Sequence, residues 1–269
     1  MKYAILSDVH SNSDAFETVL NKCSELGIDQ YLFLGDLVGY NADPCRCIAM
    51  ARELNFLAAV RGNHDEYTIS GNTELAGFNS NATIAIQWTR QQLSDDDIDF
   101  LDDMPLTAHV PNSLITLVHA TLDSPDAWGY VFDSHHAVGN FSYQRTPICF
   151  CGHSHVPVAF DKAPVAIGRK LVEPIEGWER NLYYPEADTD FRFADELPVQ
   201  LEKGHKYLFN IGSVGQPRNN DPRASFAVYD DEAKTVTRYR LPYNVAAAQE
   251  KIRAAGLPER LALRLAAGQ

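Results

Sequence analysis

The sequence predicts an α/β fold, because short apolar runs typical of β-strands alternate with amphipathic helical segments along residues 1–60. Strands are indicated at residues 3–6, 31–34 and 56–60, and helices at residues 14–26 and Pro44–Leu54. Alternation of this kind favours a parallel sheet with right-handed crossover connections. In such a sheet, functional groups gather just beyond the carboxyl ends of the strands.

The remainder of the chain indicates more strand than helix. Residues 79–93 and a short segment with Ser94 as its N-cap, ending near Met104, are expected to be helical. From Leu106 onward we expect strands without intervening helices, at residues 106–110, 114–118, Ile148–Cys151, 156–160, 207–211 and in a hairpin over 224–241. Residues 245–267 are expected to be helical, with a break at 256–258, and the polar, acidic segment 173–197 is expected to be an insertion.

The charge balance limits the classes of partner. The 269 residues include 23 basic and 36 acidic side chains, which give a formal net charge of −13. Because no basic tract offsets this charge, we expect no binding to nucleic acid or to an anionic membrane surface. An anionic substrate requires a local reversal of the electrostatic field, which bound metal ions would supply.

The apolar segments and the cysteines indicate a cytoplasmic protein. Apolar stretches such as 55–60 and 114–118 have the length of a strand rather than of a membrane span, and the first residues contain no apolar region typical of a signal peptide. The five cysteines are an odd number and are expected to be reduced. The pairs Cys45/Cys47 and Cys149/Cys151 are assigned to a helix and to a buried strand, so a structural zinc site is not expected.

Residues that can bind metal ions follow each of five predicted strands. They are, in chain order, Asp8 and His10; Asp36; Asn63, His64 and Asp65; His119; and His153 and His155. A single such residue has an ordinary structural explanation, such as a helix N-cap or a hydrogen-bonded histidine. Five clusters at strand ends that an α/β sheet brings together instead predict one metal centre. Asp8 and His10 are two apart on a chain expected to be extended, so their side chains are expected to point to the same side.

The chain resembles the calcineurin-like metallophosphoesterase superfamily in the order and spacing of these motifs. The resemblance rests on Asp8-x-His10, Gly35-Asp36, Gly62-Asn63-His64-Asp65, His119 and Gly152-His153-Ser154-His155. The later segment 210–218 resembles part of the small bacterial and archaeal branch of that superfamily. The resemblance implies a single catalytic domain over residues 1–269, with a fold of two mixed β-sheets packed as a sandwich and flanked by helices.

The resemblance also implies two divalent metal ions. The first would be held by Asp8, His10, Asp36 and His155, and the second by Asp36, Asn63, His119 and His153, so that the Asp36 carboxylate bridges them. A bridging carboxylate suits ions about 3.5–4 Å apart. Imidazole, carboxylate and amide donors without a thiolate favour manganese, iron, cobalt, nickel or zinc over magnesium or calcium.

The expected reaction is the hydrolysis of a phosphoester. A water molecule between the two ions would lose its proton near neutral pH and attack phosphorus in line. His64 directly follows Asn63 and is expected to act as the general acid for the leaving group, the alternative being a hydrogen-bonding role beside the metal ligands. Asn63, Arg61 and Arg218 are expected to contact the substrate, although a surface salt bridge is an equal alternative for each arginine.

One motif differs from that of the protein phosphatases in this superfamily, which carry Asp-Arg-Gly after Gly-Asp. This chain has Gly39 at the position of the aspartate that would orient His64, and Asp43 is a candidate substitute. We therefore expect a small-molecule substrate: a phosphodiester, a nucleotide or a dinucleoside polyphosphate. A protein phosphatase is the alternative within the same chemistry. A non-catalytic scaffold is disfavoured because all seven ligands and His64 are present. The oligomeric state is left open.

Overall fold

Eleven strands and eight α-helices make up the regular structure of residues 1–71, 79–164 and 193–269, the part of the chain that the computed structural model describes. The strands are β1 (Lys2–Leu6), β2 (Gln30–Phe33), β3 (Ala58–Ala59), β4 (Thr107–His109), β5 (Ile115–Val118), β6 (Ile148–Cys151), β7 (Val158–Lys162), β8 (Pro198–Gln200), β9 (Lys206–Asn210), β10 (Ala224–Asp230) and β11 (Thr235–Leu241). The helices are α1 (Ser13–Leu26), α2 (Pro44–Leu54), α3 (Asn63–Ile69), α4 (Ser80–Gln92), α5 (Asp95–Asp102), α6 (Ser134–Tyr143), α7 (Val245–Ala254) and α8 (Glu259–Ala267).

The first sheet contains the amino-terminal strands and has the order β3-β2-β1-β10-β11-β8. β1 is parallel to β2, with Leu6 opposite Phe33, and antiparallel to β10, with Ala4 opposite Val228. β2 is in turn parallel to β3. Helices α1 and α2 connect these three strands, so the predicted alternation of parallel strands with crossover helices is confirmed.

The second sheet has the order β4-β5-β6-β9-β7. Its central strands β5, β6 and β9 run parallel, whereas β4 and β7 pair antiparallel at its two edges. Both sheets are therefore mixed, and the expected α/β fold of two mixed sheets flanked by helices is confirmed.

One of the two large apolar cores in the described part of the chain lies between the two sheets. Ile5 packs there with Phe150 and Phe209, whose rings stack with their centroids 5.5 Å apart. The next residue of β1, Leu6, packs on the other face of the first sheet with Phe16 of α1 and other residues of α1 and α2. Because both faces of β1 are covered by apolar layers, this strand is an uninterrupted apolar run in the sequence.

The structure differs from the sequence-based expectation between β5 and β6. Helix α6 lies there, after a 3₁₀ turn at Pro125–Ala127, so the expectation of strands without intervening helices after Leu106 is wrong. β5 and β6 are parallel, and a parallel pair needs a long crossover connection, which this segment provides. The segment contains several weak helix formers, but the Asp133 carboxylate caps it by accepting a hydrogen bond from the His136 N–H.

Smaller differences concern short elements and coverage. β3 is two residues long instead of spanning 56–60, β7 begins at Val158 instead of residue 156, and α3 and β8 were not expected. Residues 173–192 of the expected insertion lie outside the described part of the chain, and the single domain over 1–269 stays a prediction. Among the described helices, none has both the length and the apolar character that a membrane span needs.

Removal of the Phe150 side chain tests the inter-sheet core. Phe150 is fully buried, so Phe150→Ala is expected to lower the free energy of unfolding by about 3–5 kcal/mol through lost contacts and a residual cavity. Phe132, 49% exposed, provides the matched control, and Phe132→Ala is expected to cost less than about 1 kcal/mol. Urea unfolding measures both, and equal losses would contradict the placement of Phe150 in the core.

Candidate metal centre

The two sheets bring the predicted metal-binding residues together at one edge of the sandwich. The residues follow β1, β2, β5 and β6 or begin α3, and all seven are at most 6% exposed: Asp8, His10, Asp36, Asn63, His119, His153 and His155. Backbone hydrogen bonds connect the loops that carry them, since Asp8 N–H donates to Gly35 O and His10 N–H donates to Asp36 O. The placement of these side chains follows from the shared direction of the parallel strands.

The donor atoms form two adjoining groups that could each hold a metal ion. One group contains Asp8, His10, Asp36 and His155, and the other contains Asp36, His119 and His153. Within each group all donor atoms lie within 4.8 Å of one another. The amide oxygen of Asn63 lies 3.3 Å from His119 Nε2, beside the second group. Asp36 belongs to both groups, so its carboxylate lies where a bridging ligand would be.

Backbone carbonyls fix the tautomers of the histidines. His10 Nδ1 contacts Val38 O, His119 Nδ1 contacts Leu34 O and His155 Nδ1 contacts Gln216 O. Because a carbonyl oxygen only accepts hydrogen bonds, each Nδ1 bears a proton, and each Nε2 faces the cluster, where it can bind a cation once its ring is neutral. His153 uses the other nitrogen, since its Nε2 lies 2.9 Å from Trp128 O.

Lone pairs that converge in this way repel each other and favour a bound cation. The Nε2 atoms of His10 and His155 are 3.1 Å apart, and with Nδ1 of each ring directed at a carbonyl these two Nε2 atoms converge on one point. Two buried carboxylate oxygens, Asp8 Oδ1 and Asp36 Oδ2, have no hydrogen-bond partner among the described residues. Converging lone pairs and unpartnered carboxylate oxygens are costly in a buried site unless positive charge lies between them. The donor set therefore fits divalent cations.

Burial and charge interactions within the cluster shift the pKa values of its side chains. Burial raises the pKa of Asp8, but His155 and His10 outweigh burial and hold it well below its usual range. Burial lowers the pKa of His119, but the Asp36 carboxylate more than offsets burial and raises it to about 9. Burial and the charge of His119 lower the pKa of His153 to about 4. A cation that binds between Asp36 and His119 would displace the His119 proton.

Most of the candidate ligands have left-handed backbone conformations. The φ angles are 54° at Asp8, 48° at His10, 56° at Asp36, 65° at His153 and 58° at His155. The expectation that Asp8 and His10 lie on extended chain is therefore wrong, because β1 ends at Leu6 and the chain then turns. Left-handed conformation in a residue with a Cβ atom costs about 1–3 kcal/mol and is concentrated at functional sites.

Asp65 is a buried carboxylate that connects two of these loops. The sequence analysis gave it no role of its own. It accepts backbone N–H hydrogen bonds from Asp36 (2.7 Å), Leu37 (2.9 Å) and Val38 (3.2 Å), and from Gly62 (3.1 Å). Burial and the nearby Asp36 carboxylate raise the pKa of Asp65, while these N–H donors act in the opposite direction. The feature that could have indicated this role is its position as the third residue of α3, where an acidic side chain caps the helix.

His64 lies beside the cluster, held by its backbone and its ring. Its N–H donates to Asp36 Oδ1 at 2.8 Å, and its ring centroid is 4.7 Å from that of His10 and 4.3 Å from that of Tyr40. Burial lowers the pKa of His64 well below its usual range, partly opposed by the Asp36 carboxylate. A Cβ atom at Gly39 (φ +93°) would lie 2.4 Å from His64 Nδ1, so glycine at this position makes room for the ring.

Three charged residues for which the sequence left alternatives open, Arg61, Asp43 and Arg218, have different surroundings in the structure. Arg61 is not among the cleft-lining residues, and its guanidinium pairs with Glu66 (2.9 Å) and with Asp102, as the salt-bridge alternative expects. Asp43 pairs with Lys251 at 2.7 Å and with Ser13, so it does not substitute for an aspartate that orients His64. Arg218 lines a cleft beside the cluster.

This cleft has a volume of about 530 Å³. It borders the second donor group, because Asn63 and His153 form part of its wall together with Tyr40, Tyr67, Trp128 and Arg218. Tyr130, also in the wall, stacks on His153 with 4.2 Å between ring centroids. Arg264 of α8 completes the wall, and no sequence signal distinguishes it from the other arginines on exposed helices.

Comparison with known proteins decides the family. The profile of the calcineurin-like phosphoesterase superfamily domain matches residues 1–174. An uncharacterized protein of Methanocaldococcus jannaschii is 34% identical over 268 residues, which are 99% of this chain and 98% of that protein. The chain belongs to the calcineurin-like phosphoesterase superfamily.

Solved structures of similar proteins support the assignment to the metallophosphoesterases. A metallophosphoesterase from Sphaerobacter thermophilus is 35% identical, with a TM-score of 0.81, and the match covers 100% of this chain and 99% of that chain. A hypothetical protein from Pyrococcus horikoshii shares the fold at 17% identity, with a TM-score of 0.73 and coverage of 100% and 98%. The metallophosphoesterase fold and the candidate Asp/His metal site therefore occur together in this chain.

The substitution Asp65→Asn tests whether the Asp65 carboxylate fixes the positions of the metal-binding loops of the metallophosphoesterase site. Asp65→Asn replaces one carboxylate oxygen by an N–H donor that faces backbone N–H groups. We expect a loss of about 2–3 kcal/mol in the free energy of unfolding of the metal-free protein and manganese binding weakened about 10–100-fold. Urea unfolding and titration calorimetry measure the two effects.

Asp97 provides the matched control. It is also the third residue of a helix and caps α5 through Ser94, but it has no contact with the metal-binding loops. Asp97→Asn is expected to cost at most about 1 kcal/mol and to leave manganese affinity unchanged. Equal effects of the two substitutions on manganese binding would show that Asp65 only caps its helix.

Proposed function

We propose that this chain is a two-metal-dependent phosphoester hydrolase that acts on a small phosphodiester, a nucleotide or a dinucleoside polyphosphate. The observation that carries the proposal is the pair of donor groups that share Asp36. Two adjoining sites with a common carboxylate are the arrangement that two-metal hydrolysis requires. The complete donor set, together with His64, supports catalysis over a non-catalytic scaffold role.

The ions would be held as the superfamily resemblance implies. Asp8, His10, Asp36 and His155 would hold one ion, and Asp36, Asn63, His119 and His153 would hold the other. When bound, two divalent transition-metal ions supply Lewis-acid stabilisation of charge on the phosphoryl oxygens and a source of nucleophilic water at neutral pH. Manganese, iron, cobalt, nickel and zinc match the imidazole, carboxylate and amide donors.

His64 is the proposed general acid. Its backbone N–H donates to Asp36 Oδ1, so its position is tied to the proposed bridging carboxylate. Burial favours the neutral imidazole in the free protein, but a phosphoryl anion bound beside the ring raises the pKa of His64 and favours the protonated form. His64 would thus gain its proton when the substrate binds and donate it to the leaving-group oxygen.

The size of the cleft supports a small substrate. At about 530 Å³ it is within the usual range of small-molecule sites, about 300–1,000 Å³. The aromatic side chains of Tyr67, Trp128 and Tyr130 in its wall offer surfaces on which a nucleobase can stack. These features favour a compact ester of the nucleotide class.

Removal of the shared carboxylate tests the two-metal proposal. Asp36→Asn is expected to abolish hydrolysis of bis-p-nitrophenyl phosphate and to weaken binding of both ions, because the amide cannot bridge them. Steady-state kinetics with manganese and metal analysis after dialysis measure these effects. Asp96, an exposed aspartate, provides the control variant Asp96→Asn, which is expected to behave as wild type. Near-native turnover by Asp36→Asn would overturn the proposal.

Leaving-group dependence tests the role of His64. His64→Ala is expected to retain both ions and to lose about 10²–10⁴-fold in turnover of an ester with a high-pKa alkoxide leaving group. The loss should be much smaller with nitrophenolate, which departs without a proton. His135→Ala, at an exposed histidine, is the control. Equal losses for both leaving groups would assign His64 to positioning rather than to proton transfer.

A further inference from the structure

Two arginines on distant parts of the chain meet in the cleft beside the metal centre. Arg218 lies after β9, and Arg264 lies on α8. The guanidinium carbon of Arg218 is 5.7 Å from the centre of the Tyr40 ring, and that of Arg264 is 5.2 Å from the same centre. Both side chains line the cleft that contains Asn63 and His153.

Neither guanidinium pairs with an Asp or Glu side chain among the described residues. Arg218 donates to the Tyr40 hydroxyl at 2.9 Å, and its buried Nε has no hydrogen-bond partner among the described residues. Arg264 donates through Nε to an oxygen of the carboxylate of Gln269, the last residue of the sequence, which fixes the side chain. A guanidinium has five N–H donors, so further donors of Arg264 can reach a ligand. Arg61, in contrast, is paired with two carboxylates.

This lack of partners is unusual in a chain with a formal net charge of −13, in which acidic side chains outnumber basic ones. Two like charges beside one ring repel each other, and burial together with Arg218 lowers the pKa of Arg264. Such an arrangement is unfavourable by itself and becomes favourable when an anion lies between or against the two groups. The site therefore has the features of an anion-binding subsite.

Tyr40 sets the position of this subsite relative to the reaction. Its ring is 5% exposed and contacts His64 at 4.3 Å and His10 at 4.7 Å, measured between ring centroids. The Tyr40 ring thus contacts both the proposed general acid, His64, and the two arginines. Since the general acid lies next to the leaving group, an anion held by the arginines would be on the leaving-group side.

We propose that Arg218 and Arg264 bind a second phosphate group of the substrate, so that the preferred substrate is a phosphoester or phosphoanhydride whose leaving group carries a further phosphate. Guanidinium groups suit this role because they donate pairs of parallel hydrogen bonds to phosphate oxygens. The orientation of the substrate rests on the proposed hydrolase function. The anion-binding role of the two arginines does not require turnover.

The test compares two nucleotides that differ by one phosphate. We expect manganese-loaded protein, in titration calorimetry with excess manganese, to bind adenosine 5′-(α,β-methylene)diphosphate at least about tenfold more tightly than adenosine 5′-monophosphate. Arg264→Gln is expected to reduce this ratio by about tenfold or more, the effect of one charge-assisted hydrogen bond. Arg264→Lys, which keeps the charge, should restore part of the ratio.

Arg260, one turn earlier on α8, provides the matched control. It is exposed and does not line the cleft, so Arg260→Gln makes the same change in net charge and is expected to keep the full ratio. Thermal unfolding establishes that each variant is folded. Equal affinities of the two nucleotides for wild type, or an unchanged ratio in folded Arg264→Gln, would overturn the proposal.

Hydrolysis of bis-p-nitrophenyl phosphate separates this proposal from the proposed function. A wild-type protein that prefers the diphosphate analogue but hydrolyses no ester would support the subsite and overturn the hydrolase function. A protein that hydrolyses the ester but binds the two nucleotides equally would support the hydrolase function and overturn the subsite.

Discussion

The arrangement of the candidate ligands depends on reciprocal contacts between two carboxylates and two loops. Asp65, at the start of α3, accepts three of its backbone hydrogen bonds from the loop after β2, which carries Asp36. Asp36 in turn accepts a hydrogen bond from the backbone of His64, at the start of α3. Each loop is therefore held by the carboxylate of the other. Because hydrogen bonds inside a protein are electrostatically stronger than those in water, this pair of contacts fixes the distance between the shared carboxylate and the proposed general acid before any ion or substrate binds.

The same loops contain backbone strain that the surrounding sheets must compensate. Five candidate ligands have positive φ angles, at about 1–3 kcal/mol each. Such conformations persist only where neighbouring contacts leave no alternative, and these loops have them: Ser11 N–H donates to Leu37 O, Gly215 N–H donates to Asp8 O, and Gly152 N–H donates to His119 O. The turns bring side chains two positions apart, such as those of Asp8 and His10, toward one point, whereas an extended strand would hold them on one face about 6.5 Å apart. The strained loops thus explain how short motifs supply two ligands each.

The sequence predicted that the candidate ligands come together, because they follow apolar strands whose carboxyl ends a parallel sheet places at one edge, and the structure places them together. It predicted backbone geometry less well: the turn at Asp8 and His10 depends on hydrogen bonds to the loop after β2, which are distant in sequence. Helix α6 was missed because its residues have weak helix propensity, while the need for it arises from the parallel pairing of β5 and β6. Arg264 gave no local signal, since an arginine facing solvent on a helix and one facing a cleft have the same sequence pattern.

The acidic side chains around each arginine indicate its role better than its position in the sequence does. Arg61 lies close to the candidate ligand Asn63 in the sequence, but Glu66 and Asp102 neutralise it. Arg218 and Arg264 are remote in the sequence from the amino-terminal motifs, yet neither pairs with an Asp or Glu side chain among the described residues. In water at physiological ionic strength, screening limits the reach of these charges to about 8 Å. A chain with a formal net charge of −13 disfavours contact with an extended polyanion, whereas the two arginines offer positive charge to an anion small enough to enter the cleft. In the proposed function, this contrast favours a compact substrate over a nucleic acid, although both carry phosphate esters.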